Sequence, residues 1–224
     1  MIGNKNIQII DLGKMDYQTA WDYQEAVLQQ QVQRKREGLA TENFLFFVEH
    51  NHVYTLGKSG NLANVLLTDK ELEAREIQFF KTNRGGDITY HGPGQVVGYP
   101  IIDLENFKTD ISWYLRTLEQ VIINALAYYN IAAGRSVGET GVWIDNELLG
   151  KQRKICALGV RCSRWVTMHG FALNVNNDLS YFNHIIPCGI TNKTVTSMQQ
   201  EIKNVIDEAA LKNRLAVEFV KLFS

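Results

Sequence analysis

At 224 residues, with 45% hydrophobic and 21% charged side chains, the chain is long and apolar enough to bury a core as one domain over residues 1–224, and disorder is not its theme. A formal net charge of −1 gives no general attraction to nucleic acid, and the lack of any run of 18 apolar residues argues against a membrane partner. Three cysteines cannot all pair with one another, which fits a reducing, cytoplasmic setting and leaves at least one thiol available for reactivity.

Taken in chain order, the elements alternate without repeats. Asp16 is placed to cap a helix over residues 17–37, with Gly38 just beyond its end. Residues 44–50 and 53–57 read as short β segments. Thr68 and Glu71 form a capping box for a short helix near residues 69–76, and residues 77–82 read as a strand. Another strand is predicted over 95–104, and a helix over 110–129 fits the spacing of Tyr114, Leu118, Ile122 and Leu126. Three β segments follow at 141–145, 154–162 and 166–176, and a helix over 205–223 closes the chain. Strands joined by short turns and mixed with helices predict an α+β domain with a mixed sheet, not a doubly wound parallel sheet.

Glycine concentrates in "RGGDITYHGPGQ", residues 84–95. Such a loop cradles phosphate when it opens a helix whose first N–H groups point at the anion. This one runs from strand to strand and lacks the Lys-Ser/Thr ending of a nucleotide triphosphatase loop, so the phosphate reading is disfavoured. A tight turn remains, in which Gly85, Gly86, Gly92 and Gly94 let another molecule approach the main chain and Arg84 and His91 serve as polar anchors.

In "GKQRKICALGVRCSRWVTMHGFALNVN", residues 150–176, alternation places Lys154, Cys156, Leu158 and Val160 on one face. Lys154 thus begins a mostly apolar strand, a setting suited to a lysine general base. Gly159 and Gly170 lie inside strand patterns, where glycine marks a bulge or the close approach of a ligand. Further on, Cys188 stands between Pro187 and Gly189 in a predicted turn, while Cys156 and Cys162 fall in a β segment. A nucleophilic cysteine needs a neighbouring cation or base, and His184 and Lys154 are both candidates.

The segments "RGGDITYHGPGQVVGYPIIDL", "RKICALGVR", "HGFALNVNNDLSYF" and "IIPCGI", in that order, resemble the lipoyl(octanoyl) transferases of lipoic acid synthesis, over about residues 53–190. The resemblance implies a fold similar to the catalytic domain of biotin and lipoate protein ligases. It implies Cys188 as the nucleophile that accepts octanoyl from acyl carrier protein, and Lys154 as the group that stabilises the thiolate and then serves as acid and base. Lys151, in an unusually basic lead-in, is a minor rival that the register of "KICALG" disfavours. The acyl site would be lined by Arg84, Gly85, Gly86, Asp87, Ile88, Thr89, Tyr90 and His91, by Ala157, Leu158 and Gly159, and by Gly170, Phe171 and Ala172. Acceptors would be lipoyl domains of 2-oxoacid dehydrogenases and the glycine cleavage H protein, and neither ATP nor a metal is expected. Arg161, Arg164 and Lys193 form a candidate docking patch for the acidic carrier protein. The alternatives are an ATP-dependent lipoate-protein ligase, a non-catalytic binder of carrier or lipoyl domains, and a thioesterase using His184.

Overall fold

The computed structural model describes residues 4–148, 150–186 and 194–224. Helix α1 (Tyr17–Arg36) starts where Asp16 accepts the N–H groups of Gln18 and Thr19, and α2 (Asp69–Ala74) starts at the Thr68–Glu71 capping box. Helices α3 (Ile111–Tyr128), α4 (Met198–Ile202) and α5 (Glu208–Leu222) begin at Asp110, Ser197 and Asp207, each side chain accepting a main-chain N–H of the first turn.

Among the described residues the strands form two sheets. In the seven-stranded one, β1 (Ile7–Lys14), β2 (Asn43–Glu49), β6 (Gln95–Ile101), β9 (Val166–Asn174), β8 (Arg153–Ser163) and β10 (Thr194–Val195) lie side by side, and β7 (Val142–Ile144) also pairs with β8. The β1–β2 and β8–β10 pairs are parallel, and the others are antiparallel. The smaller sheet runs β4 (Gln78–Lys81), β3 (Val53–Leu56), β5 (Ile88–His91). This is the mixed α+β architecture that the sequence predicts.

Period-two alternation buries both faces of the large sheet. Leu45 and Phe47 of β2, with Phe171 and Leu173 of β9, pack into the core under α3 and α5. Phe46 and Val48, with Val97, Tyr99 and Ala172, face Ala20, Leu28 and Val32 of α1. A third cluster holds Tyr54, Ile88 and Tyr90 of the small sheet against Ile185, with Tyr181 and Phe182 packed on it.

Three sequence expectations change. Residues 84–95 are not one turn: their centre is β5, antiparallel to β3, with loops on either side. The cluster of glycines hides a strand whose own residues, Ile-Thr-Tyr-His, are good strand formers. Edge strand β1 is not predicted because most of it is exposed and its apolar residues, Ile7, Ile9, Ile10 and Leu12, change face midway and set no period. Finally, alternation along β8 is regular from Cys156 onward but breaks at its start. Its pairing with β7 slips between Val142 and Trp143, and Ile155 and Cys156 both enter the core beneath α3. At this break Lys154 lines the cavity described next, while Cys156 stays with the core.

Candidate active site

A cavity of about 330 Å³ opens between the large and small sheets. Its wall includes Thr89 and His91 of β5, Val97 and Tyr99 of β6, Lys154, Ala157, Leu158 and Gly159 of β8, and Gly170, Phe171, Ala172 and Asn174 of β9. Arg84, Gly86, Asp87 and Ile88 join from the glycine segment, Tyr17 from α1, and residues 138–140, Phe182 and Val195 from elsewhere. Gly85 and Tyr90 are outside this lining. Gly85 donates its N–H to Val160 O, and Tyr90 is turned into the third cluster, stacked on Tyr181 and bonded through its hydroxyl to His52. Alternation along β5 sends Thr89 and His91 toward the cavity and Tyr90 away.

Arg84 acts as an anchor. Its guanidinium donates to Thr55 O at 2.6 Å, to Thr55 Oγ1 at 2.9 Å and to Gly85 O at 3.0 Å, tying the glycine segment to β3. His91 is held in one tautomer by its neighbours. Gln95 Nε2 donates to Tyr90 O and to Asn174 Oδ1, so Gln95 Oε1 faces His91 Nδ1, which must carry the proton. His91 Nε2 is left as an acceptor toward the Thr55 hydroxyl. Asn174 in turn donates to Thr196 O, next to β10.

The histidines around the cavity are neutral. Burial, and then the charges of Arg84 and Arg161, push His169 down to about 3, and burial pushes His50 down to about 4. Burial also holds His91 well below the usual imidazole range, with His50 and Arg84 adding to it. The unfolded chain therefore takes up these protons first. Stability from neutral histidine is complete above the unfolded value near 6.5 and is lost as pH falls toward the folded values. At pH 5, where carboxylates stay ionised, His50 and His169 are each expected to cost about 2 kcal/mol relative to pH 7. Urea unfolding at the two pH values checks this, and a flat profile would contradict it.

Lys154 lines the cavity with Nζ 4.5 Å from the centre of the Trp143 ring. Val195 of β10 pairs with it and lines the same wall. Lys151, by contrast, is exposed in the turn before β8 and is not in the lining. Cys188 and Lys193 lie outside the described residues. The two described thiols are poor nucleophiles: burial pushes both Cys156 and Cys162 above the usual thiol range, and Cys156 faces the core.

The glycines expected to admit a ligand admit the protein's own chain instead. A Cβ on Gly159 would lie 2.8 Å from Gly85 O, and one on Gly170 would strike Gly98 O and come within 2.5 Å of Pro100 Cδ. What Gly170 presents to the cavity is thus main chain. The basic patch is also altered. Arg161 is paired with Glu25, and Arg164 follows the far end of β8 from Lys154, roughly 30 Å away at about 3.3 Å per strand residue.

Sequence reasoning did not assign Tyr17, Val97, Tyr99, residues 138–140, His169, Asn174, Phe182 or Val195 to the site. The pair of glycines in "GETG", residues 138–141, is a usable signal for residues 138–140. Tyr17, the first residue of α1, reads only as a helix start.

The family model of the lipoyl protein ligase A/B catalytic domain matches residues 16–220. Octanoyltransferases are close in sequence: that of Flavobacterium psychrophilum is 58% identical, over 98% of this chain and 97% of its own. That of Bacteroides thetaiotaomicron is 46% identical, over 96% and 95%. Among solved structures, a lipoate-protein ligase A bound with ATP superposes with a TM-score of 0.75 at 16% identity, covering 99% of this chain and 85% of that one. A bi-partite lipoate protein ligase from Thermoplasma acidophilum gives 0.74 at 17%, covering 96% and 82%. A biotin protein ligase from Aquifex aeolicus gives 0.55 at 12%, covering 96% and 70%.

The chain belongs to the lipoyl protein ligase A/B catalytic domain family. Within it, the chain is an acyltransferase of octanoyl transfer in protein lipoylation.

Proposed function

We propose that the reaction runs in two steps through a thioester on Cys188. The Cys188 thiolate attacks the carbonyl carbon of octanoyl-acyl carrier protein. A C–S bond to Cys188 forms as the bond to the phosphopantetheine sulfur breaks, and that sulfur leaves as the thiol after taking up a proton. The ε-amine of a lysine on a lipoyl domain then attacks the acyl-enzyme. An amide forms, the Cys188 thiolate departs, and Lys154 removes the proton that the attacking amine sheds. Because the thioester already carries the activation, the chemistry calls for no ATP and no metal.

The observation that carries this reading is the placement of Lys154 in the cavity wall beside Val195, while Cys188 belongs to the stretch between two wall residues, Phe182 and Val195. The unreactive settings of Cys156 and Cys162 support it from the other side. The aliphatic and aromatic side chains of the wall, Val97, Leu158, Phe171, Ala172, Phe182 and Val195 among them, suit an eight-carbon acyl guest. Arg84 and His91, bonded within the protein, shape the wall, and main-chain N–H groups near Cys188 or at Leu158 and Gly159 would receive the thioester oxygen. The acceptors would be lipoyl domains of 2-oxoacid dehydrogenases and the glycine cleavage H protein, with neither nucleic acid nor membrane engaged, in the cytoplasm.

Mixing the enzyme, octanoyl-acyl carrier protein and an apo lipoyl domain without ATP is expected to yield an octanoylated lysine. Free octanoate with ATP is expected to yield none. Product formed only in the second mixture would establish the ligase reaction in place of this one.

A further inference from the structure

Glu119 lies in α3 among Leu118, Val121 and Ile122, and its side chain has no exposed surface. A bare carboxylate there would be costly, and its ligands explain how it is kept. Oε2 accepts from Arg116 at 2.7 Å and from Arg135 at 2.9 Å, while Oε1 accepts the main-chain N–H of Gly141 at 3.0 Å. Arg135 is fixed further by donating to Arg116 O and to Gln120 Oε1. The segment between Arg135 and Gly141 is thereby held to α3 at both ends, and its residues 138–140 form part of the cavity wall.

Gly141 connects this anchor to the chemistry. Its φ of +130° is one that side chains rarely adopt, and a Cβ there would stand 2.9 Å from Cys156 O and 3.4 Å from Lys154 Cε. A side chain at 141 would therefore meet the stem of Lys154, beside which the main chain of Gly141 runs. Trp143, two residues on, places its ring against Nζ. Between them falls the β7–β8 slip.

We infer that Glu119 is a positioning residue for Lys154. By holding Gly141 N–H it fixes the start of β7, and with it the surface on which the lysine stem and ammonium rest. The inference depends on the proposed role of Lys154 beside Cys188.

The test is the pH dependence of Cys188 alkylation by iodoacetamide, read with kcat and KM for octanoyl-acyl carrier protein, in Glu119→Gln, Gly141→Ala and Lys154→Ala. Glu119→Gln keeps the size of the side chain but sets an NH2 donor against either Gly141 N–H or the two arginines, so one side of this anchor is lost. It is expected to lower kcat about 10–100-fold with KM little changed, because a small misplacement of a catalytic group has effects of this order. It is also expected to move the alkylation midpoint upward, in the direction of Lys154→Ala. Gly141→Ala reaches the same stem from the other end, and it decides the matter if Glu119→Gln does not fold. Wild-type midpoints and kcat in both variants, beside a shifted Lys154→Ala, would overturn the role of Glu119 alone. An unshifted Lys154→Ala would overturn the Lys154 reading and this inference with it.

Discussion

Lys154→Ala is expected to lower octanoyl transfer by about 10²–10⁴-fold, the usual worth of a positioned acid–base group. The fold should survive, since the side chain lies at the cavity surface and its contact with the Trp143 ring is worth only about 0.5–2 kcal/mol. Lys154→Arg is expected to fail as well: a guanidinium keeps the positive charge but cannot give up a proton near neutral pH. The two variants separate the roles. Arginine should retain part of the alkylation rate of Cys188, where only a cation is needed, and lose the transfer to the acceptor amine, where a base is needed. Steady-state rates and alkylation rates check this pair, and wild-type turnover in either variant would remove Lys154 from the mechanism.

Gly170→Val is expected to destabilise the protein by about 3 kcal/mol, the upper end of the usual range for overpacking a tight interior. The reason is geometric. A side chain at 170 meets Gly98 O and Pro100, both on β6, the strand paired with β9 at the middle of the large sheet. To admit it, main chain must move away from main chain, and the Gly98–Phe171 register sits at that point. For a chain of this size the loss corresponds to roughly 6–12 °C in Tm. Thermal and urea unfolding provide the measurement. A variant with unchanged stability and lost acyl binding would mean that Gly170 is open to the substrate and not to β6.

Much of the site was legible because its residues sit in dense local patterns. The glycine segment, the lysine at the start of β8 and the histidine-glycine run of β9 are contiguous stretches whose composition departs from ordinary strands. The structure brings Arg84, Thr89, His91, Lys154, Ala157, Gly159 and Ala172 to one cavity wall. What failed was directional. Alternation puts Lys154 on the face of Cys156 and cannot foresee an irregular start to β8, and four flanking glycines make the strand β5 read as a turn. Helix boundaries fared better, because Asp16, Thr68 and Asp110 cap by bonds to residues two or three positions away. Tyr17 and Tyr99 are invisible in sequence for the opposite reason: each owes its place to a partner more than 20 residues distant, His91 and His50.

The thioester on Cys188 is tested most directly by intact-mass measurement after mixing the enzyme with octanoyl-acyl carrier protein in the absence of acceptor. The wild-type protein is expected to gain one octanoyl group, which hydroxylamine removes, and Cys188→Ala is expected to gain none. An octanoyl adduct of equal yield on Cys188→Ala would contradict the account.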